Sequence, residues 1–328
     1  MAAERKIKTH PHRIVPRSRV GRKLWLVIRG VPPRGRYTKL RRLLQLTILS
    51  LFAFQLVYTG RIIIGSLASS RILDTIPMMD AWAWTEQAVA THSPTLESVT
   101  AVLVVATLYL VVLGRFFCGW VCPMDLLFSL FERKLSTAKA GRLSRPHTPG
   151  RLEKLAPLAA MAVYLALSVA LGQPFFTSVS PVKSTTELAE TLVGVVYNIP
   201  GASLALAMGW LDIVAFALIA NIIAEYVFGV KRFWCRFICP IGNLYGFLGN
   251  RHSLLTVRVR QPEHCLGCNI CSLSCPMSID LLPYIREGRP VDDYRCFRCG
   301  RCAEVCPHHV LELGFRFTPS SGEERKRG

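Results

Sequence analysis

Long apolar stretches separated by short polar segments are the first pattern along this chain. Four of them predict transmembrane helices, because about 20 apolar residues cross a hydrocarbon core of about 30 Å. These stretches are Leu43 to Ile64, Ser98 to Phe117, Leu155 to Gly172 and Ser203 to Phe228. A fifth apolar stretch, Leu188 to Ile199, is shorter and stops at Pro200-Gly201, which predicts a short helix at the outer surface.

Positive charge is concentrated at particular ends of the four stretches. The chain of 328 residues has a formal net charge of +19. Fourteen Lys and Arg residues fall in the first 42 positions, and six more fall in the connection from Glu132 to Arg151. Basic residues remain on the cytoplasmic side of membrane proteins, so both termini and the middle connection are predicted to be cytoplasmic. The charge is thus explained by a multi-pass protein of the bacterial inner membrane in contact with lipid, and we expect no nucleic-acid partner.

Eight of the twelve cysteines form two copies of C-x2-C-x2-C-x3-C-P, in "HCLGCNICSLSCP" and "RCFRCGRCAEVCP". This spacing is the bacterial pattern for [4Fe–4S] clusters, in which the fourth cysteine of each motif ligates the other cluster. Zinc rarely uses this repeated spacing, and the cytoplasm disfavours structural disulfides. We therefore assign Cys265, Cys268, Cys271 and Cys306 to one [4Fe–4S] cluster, and Cys296, Cys299, Cys302 and Cys275 to a second.

The other four cysteines form a second repeat, C-x3-C-P, after the second and fourth stretches. The segments "RFFCGWVCP" and "RFWCRFICP" contain Cys118 with Cys122 and Cys235 with Cys239. Residues four apart share one face of a helix, which predicts that each pair points one way and that the two pairs meet at the cytoplasmic membrane face. Three interpretations remain: a further metal or iron–sulfur centre, redox-active dithiols, or buried cysteines that only pack.

Ionisable residues inside apolar stretches are candidates for function. Asp212 is a candidate proton acceptor for a quinol, whereas Glu225 is expected to pair with Lys231 or Arg232. The connection that contains Trp82 and Trp84 is interpreted as an interfacial belt, a docking site for a periplasmic partner or a cap on a quinol pocket. None of the eight histidines lies within a predicted helix and no C-x-x-C-H occurs, so we expect no haem.

These patterns define a fold class and four segments. We expect an α-helical integral membrane protein with four transmembrane helices and a C-terminal bacterial-type 2[4Fe–4S] ferredoxin domain of the α+β class. The segments are a basic, disordered cytoplasmic segment (1–42), a four-helix membrane domain with both C-x3-C-P motifs (43–260), the ferredoxin domain (261–315) and a polar tail (316–328).

The combination of four spans, C-x3-C-P after the second and fourth, and two C-terminal ferredoxin motifs resembles the NapH family of ferredoxin-type quinol dehydrogenase subunits. Ser180-Pro181-Val182 and the segment from Leu67 to Pro77 share in the resemblance. The C-terminal half of NosR, methylamine-utilisation ferredoxins and CcoG-like polyferredoxins are related.

The resemblance implies that the eight ferredoxin cysteines are cluster ligands and that Cys118, Cys122, Cys235 and Cys239 are essential. It also implies electron transfer from the quinone pool towards a periplasmic reductase, through a soluble multi-cluster partner similar to NapG. Because the ferredoxin domain is predicted on the opposite side, a second class of function stays open. In that alternative, an assembly or maturation reductase uses a cytoplasmic donor to reduce a metal, thiol or cofactor at or across the membrane.

Overall fold

The computed structural model describes residues 35–57, 63–73, 75–132 and 145–316. The first 34 residues of the predicted disordered segment lie outside the described residues, as do residues 317–328 of the polar tail. Residues 36–42 are helical and begin the first helix of the described residues.

The described chain forms a helical membrane portion followed by a small α+β portion. In the membrane portion, the helices are α1 (Arg36–Ala53), α2 (Ala81–Thr91), α3 (Leu96–Thr107), α4 (Phe116–Trp120), α5 (Pro123–Phe131), α6 (Arg151–Leu171), α7 (Phe175–Ser178), α8 (Pro181–Val196), α9 (Leu204–Tyr226) and α10 (Pro240–Gly249). A π-helix (Leu108–Leu113) continues α3, and another (Trp234–Ile238) precedes α10. Three short strands, β1 (Ile63–Gly65), β2 (Ser69–Ile72) and β3 (Ile76–Met79), form an antiparallel sheet between α1 and α2.

Three of the four predicted spans correspond to described helices that are long and apolar enough to cross a membrane. These helices are Leu96–Leu113, Arg151–Leu171 and Leu204–Tyr226. The prediction that one helix runs from Leu43 to Ile64 is wrong in its bounds, since α1 ends at Ala53 and Ile63–Gly65 is a strand. The physical reason is visible at Gln55, whose side-chain amide hydrogen-bonds both the backbone N–H (2.9 Å) and the C=O (3.0 Å) of Gly65. Gly65 therefore lies beside the end of α1 and not further along the same helix.

The membrane portion consists of two halves with equivalent packing. Helix α1 of the first half packs against α8 of the second, and α6 of the second half packs against α2 of the first. The helices that follow the cysteine motifs also pack on the opposite half: α5 packs on α8, and α10 packs on α2. This arrangement places the two C-x3-C-P segments next to each other at the centre of the molecule.

Helices α2 and α8 begin inside the protein rather than at its surface. Trp82, in the first turn of α2, is 2% exposed, and Val182, in the first turn of α8, packs in the same apolar core as Cys122 and Cys239. The interpretation of Trp82 as an interfacial belt residue is therefore wrong. The predicted bounds of the short helix, Leu188 to Ile199, are also wrong, because α8 starts at the buried Pro181 and ends at Val196. Its second half is more exposed, and Val196 is 76% exposed.

The C-terminal portion is built on a two-stranded antiparallel sheet. Strand β4 (Leu255–Val259) pairs with β5 (Leu311–Phe315), with Leu255 opposite Phe315 and Val259 opposite Leu311. Between them lie a 3-10 turn (Pro262–His264) and the short helices α11 (Ile270–Leu273), α12 (Leu282–Glu287) and α13 (Arg301–Val305). Strand β4 precedes the predicted domain boundary at residue 261, and its pairing with β5 closes the small domain.

Candidate iron–sulfur site

Two loops of the C-terminal portion share one backbone conformation. We call residues 265–271 the first ferredoxin loop and residues 296–302 the second. Gly267 and Asn269 have φ of 65° and 61°, and the equivalent residues Arg298 and Gly300 have φ of 55° and 73°. Left-handed residues at alternating positions turn successive N–H groups towards one centre, which produces an anion-binding concavity. Both loops thus have a backbone that suits a negatively charged cluster.

The ferredoxin cysteines lie in two sets that cross between the loops. Cys275 lines one cavity together with Cys296, Cys299 and Cys302. The charge of Cys306 acts on both Cys265 and Cys271, together with that of Cys268. Each set contains four thiols, which is the donor number and type that a [4Fe–4S] cluster requires. The residues present therefore fit this group, and the assignment of each set to one cluster stays a prediction.

The four C-x3-C-P cysteines line a single cavity in the membrane portion. Cys118, Cys122, Cys235 and Cys239 share its walls with other side chains from both halves. These are Arg115, Phe117, Met124, Asp125, Phe128, Val182, Trp234 and Ile241. Burial raises the pKa of Cys235 to about 12, and the charge of Arg232 opposes that rise. Arg115, which lines the same cavity, is a buried cation that favours a thiolate there.

The two cysteines of each C-x3-C-P pair do not share one helical turn, although their spacing predicts that they do. Cys118 lies within α4, but Cys122 has an extended backbone (ψ 119°) and precedes Pro123, the first residue of α5. Cys235 lies in a π-helix, and Cys239 is extended (ψ 115°) before Pro240 of α10. Proline has no N–H and fits the first helical position, so each motif is a helix break. The thiols of a pair converge across that break.

Two buried amides hold the breaks in place. Gln45 donates from Nε2 to the carbonyl oxygen of Cys122 (3.3 Å), and Asn243 donates from Nδ2 to that of Cys239 (2.8 Å). Both amide side chains are fully buried. Sequence reasoning missed them, and the one available signal was a polar residue inside an otherwise apolar stretch.

The second ferredoxin loop is seated directly on the membrane portion. Trp120 of α4 donates from Nε1 to the carbonyl oxygen of Arg298 (2.9 Å). A Cβ atom at Gly119 would lie 2.5 Å from the carbonyl oxygen of Phe297. Asn250 donates from Nδ2 to the carbonyl oxygen of Cys296 (2.8 Å). Consequently no side chain separates α4, which contains Cys118, from the loop that contains Cys296 and Cys299.

Arginine side chains complete this interface. Arg298 is 1% exposed and donates to the carbonyl oxygens of Leu113 and Asn250, the latter at 3.2 Å. Arg115, which is fully buried, donates to the carbonyl oxygens of Tyr294 (3.3 Å) and Cys235. Buried cations so close to both cysteine sites favour negative charge at either of them.

Buried ion pairs fix the other side of the interface. Arg232 contacts Asp125 at 3.0 Å and Glu132 at 2.9 Å, and Glu132 also contacts Arg301 of α13 at 2.8 Å. Burial favours the neutral acid in Glu132, but the charges of Arg301 and Arg232 outweigh it and lower the pKa to about 2. The same balance, with Arg41 and Arg232, lowers the pKa of Asp125 to about 2. These carboxylates are therefore ionised at neutral pH.

The two acidic candidates of the membrane helices differ in position. Asp212 is exposed on α9 and is not among the residues that line the cysteine cavities. Its role as a proton acceptor stays a prediction. Glu225 is 3% exposed, and its charge acts on Lys231, as the ion-pair interpretation requires.

Models of known protein families match both the ferredoxin domain and the two C-x3-C-P regions. A model described as a 4Fe-4S dicluster domain matches residues 264–311. A model described as a 4Fe-4S binding domain matches twice, at residues 95–139 and 211–258, which are the two equivalent regions of the membrane portion. No solved structure matches the chain.

Relatives over nearly the whole chain decide the family. The ferredoxin-type protein NapH of Haemophilus influenzae is 30% identical over 87% of this chain and 92% of its own length. The chain belongs to the NapH family of ferredoxin-type proteins. NapH of Escherichia coli is 28% identical over 86% of this chain and 91% of its own. The methylamine utilization ferredoxin-type protein MauN of Methylorubrum extorquens is 26% identical over 88% of this chain and 93% of its own length. This NapH-type chain is an iron–sulfur electron-transfer protein with apolar helices suited to a membrane.

Proposed function

We propose that this NapH-type protein oxidises quinol in the bacterial inner membrane and passes the electrons on through its cysteine sites. The main support for the proposal is the contact between the second ferredoxin loop and α4. Phe297 touches α4 at Gly119, next to Cys118, while Cys118 and Cys235 also pack against the core of the ferredoxin domain. The four-cysteine cavity therefore adjoins the ferredoxin site.

The cluster assignment follows from the two cysteine sets. Cys275, Cys296, Cys299 and Cys302 would hold the cluster nearer the membrane, and Cys265, Cys268, Cys271 and Cys306 the farther one. A [4Fe–4S] cluster supplies one-electron redox chemistry at a potential that hydrogen bonds and burial adjust. The protein's own residues hold the loops, exclude water and place cations beside the thiolates. Arg298 and Arg115 are the cations nearest the second loop.

For the four C-x3-C-P cysteines, we propose a further metal or iron–sulfur centre. The cavity brings together the buried Cys122 and Cys239 and the partly buried Cys118 and Cys235, and four thiolates are the ligand number that a [4Fe–4S] cluster uses. Anaerobic purification and reconstitution followed by iron analysis tests this. Two clusters give about eight irons per chain and a third [4Fe–4S] cluster about twelve. A value of about eight that the double variant Cys118→Ser/Cys235→Ser does not change would contradict the further centre and leave dithiol chemistry or packing.

The topology proposed for this function has α1 as the fourth crossing. The backbone N–H of Thr38, near the start of α1, donates to Oε1 of Glu304 in the ferredoxin domain at 2.7 Å. The start of α1 and the ferredoxin domain therefore lie on one side. Together with the basic charge of residues 1–42, this supports cytoplasmic termini. On the opposite side, we propose a soluble multi-cluster partner similar to NapG, and beyond it a periplasmic reductase.

A rapid-mixing experiment tests the proposed function. The anaerobic protein with oxidised clusters is mixed with menaquinol or ubiquinol, and cluster reduction is followed by absorbance and EPR. We expect reduction by quinol. Reduction by a ferredoxin-like donor alone would instead identify the assembly or maturation reductase. The first ferredoxin loop gives that alternative a specific basis, because a Cβ at Gly267 would meet no atom within 4 Å and a soluble donor can approach there.

A further inference from the structure

A cavity on the far side of the membrane portion has no role in the cysteine sites. Its volume is about 330 Å³, which lies within the usual range for sites that bind small organic molecules. The described lining comes from the end of α1, from β1 and β2, and from α8. The lining residues are Gln55, Leu56, Ile64, Gly65, Ser66, Ser69, Glu187 and Glu190.

The polar side of this cavity is built from buried groups. Gln55 is 6% exposed, and its Nε2 donates to Glu190 Oε2 as well as to Gly65. Glu187 binds Lys183 through Oε1 at 3.3 Å, while its Oε2 is buried without a hydrogen-bond partner among the described residues. A buried carboxylate oxygen without a donor costs free energy. A ligand hydroxyl that donates to it would remove that cost.

The other side of the cavity is apolar and open. Leu56 and Ile64 line it and are 37% and 42% exposed. Leu56 follows the end of α1 and Ile64 lies in β1, and in a membrane protein such exposed apolar side chains suit contact with lipid or the membrane interface. The cavity thus combines proton-accepting carboxylates with an entry that suits an apolar chain. A lipid-soluble diol with a hydrophobic tail has both features.

Helix α8 connects this cavity to the four-cysteine cavity. Val182 in its first turn lines the cysteine cavity, and Glu187 and Glu190 line the other. A helix rises about 1.5 Å per residue, so the two sites are about 8–12 Å apart along its axis. The intervening residues Ser184, Thr185 and Thr186 are buried, which gives a continuous packed path.

We infer that this cavity is the quinol-binding site, with Glu187 and Glu190 as the proton acceptors. The inference rests on the proposed function. When the quinol is oxidised to quinone, its two O–H bonds break, and one proton passes to each carboxylate. The two electrons pass along α8 to one-electron acceptors of the iron–sulfur class on the cysteine side. Gln55 positions the headgroup and holds Glu190.

Two variants test the site in the full-length, cluster-loaded protein in nanodiscs. Leu56→Trp fills the cavity, and Leu192→Trp is its control, because Leu192 lies on α8, is 45% exposed and does not line the cavity. Glu190→Gln removes a proton acceptor, and Glu97→Gln is its control on an exposed ion pair with Arg71. The measurements are the affinity for a decyl-quinone analogue, the rate of quinol-driven cluster reduction, and reduction by dithionite.

We expect Leu56→Trp to lower analogue affinity at least tenfold, while Leu192→Trp binds as the original protein does. Glu190→Gln should keep binding within a few-fold and lower the maximal rate of quinol oxidation at least tenfold. Dithionite reduction should be unchanged in all four variants. Unchanged analogue binding in Leu56→Trp would overturn the inference. If the original protein binds the analogue here but quinol does not reduce its clusters, the proposed function fails and the binding site stands.

Discussion

The two ferredoxin loops have the same backbone and opposite surroundings. Both place left-handed residues at the same two positions between their cysteines. In the second loop, one of these residues is Arg298, 1% exposed and hydrogen-bonded to the membrane portion. In the first loop the equivalent residue is Gly267, where an added Cβ atom would meet nothing within 4 Å. Cluster-binding geometry and docking are therefore separate properties, and only the second loop has both.

The largest expected effect comes from removing one cluster at a time. Serine is a poor substitute for a thiolate ligand, so Cys299→Ser should lose the cluster of the second loop and with it quinol-driven reduction of the first-loop cluster. Cys268→Ser should lose the other cluster and keep quinol-driven reduction of the one that remains. EPR after quinol and after dithionite separates the two outcomes. Normal quinol reduction in Cys299→Ser would contradict the order of the two sites.

A smaller effect is expected from pushing the docked loop away. In Gly119→Ala, the new methyl group meets the carbonyl oxygen of Phe297 at 2.5 Å, which is too close. Overpacking of this kind costs about 1–3 kcal/mol. Quinol-driven reduction should slow while iron content stays normal, and hydrogen exchange of residues 296–302 should rise. Gly209→Ala is the matched control, since a Cβ there meets nothing within 4 Å.

The side chain of Arg298 can be removed without disturbing its backbone. Glycine accepts a φ of 55° readily, so Arg298→Gly gives the second loop the residue that the first loop has at Gly267. The loss of hydrogen bonds from a charged donor costs about 1.5–3 kcal/mol. Hydrogen exchange should show weaker docking with both clusters present. Arg258→Gly, which changes an arginine on the far strand β4, serves as the comparison; equal effects would show that Arg298 has no special role.

The smallest effect is expected from pH. The pKa values of Asp125 and Glu132 are lowered to about 2 from ordinary values of 3.8 and 4.5. A lowered pKa stabilises the folded state above the ordinary value, and that stabilisation is lost as pH falls from there towards about 2. Hydrogen-exchange protection factors around Arg301, which remove the intrinsic pH dependence of amide exchange, should therefore be the same at pH 8 and pH 6. A fall in protection over that interval would show that another group controls docking.

Sequence patterns predicted the elements that depend on local signals. Fixed cysteine spacing predicts the cluster motifs, and long apolar stretches predict three of the spans. The bounds of α1 could not be predicted, because they depend on the pairing of Gln55 with Gly65, which lies beside the end of the helix. The buried start of α8 depends on contacts with helices far away in sequence. The helix breaks at Cys122 and Cys239 are marked in the sequence only by the proline that follows each cysteine. The amides of Gln45 and Asn243, which hold these breaks, are marked only as polar residues in apolar stretches.

The contact between Thr38 and Glu304 has a consequence for biogenesis. It joins residues 266 positions apart, so α1 can make this contact only after the ferredoxin domain has been synthesised. Cys299, in the loop that meets the membrane portion, is buried. We therefore expect cluster delivery to that loop to precede its docking onto α4.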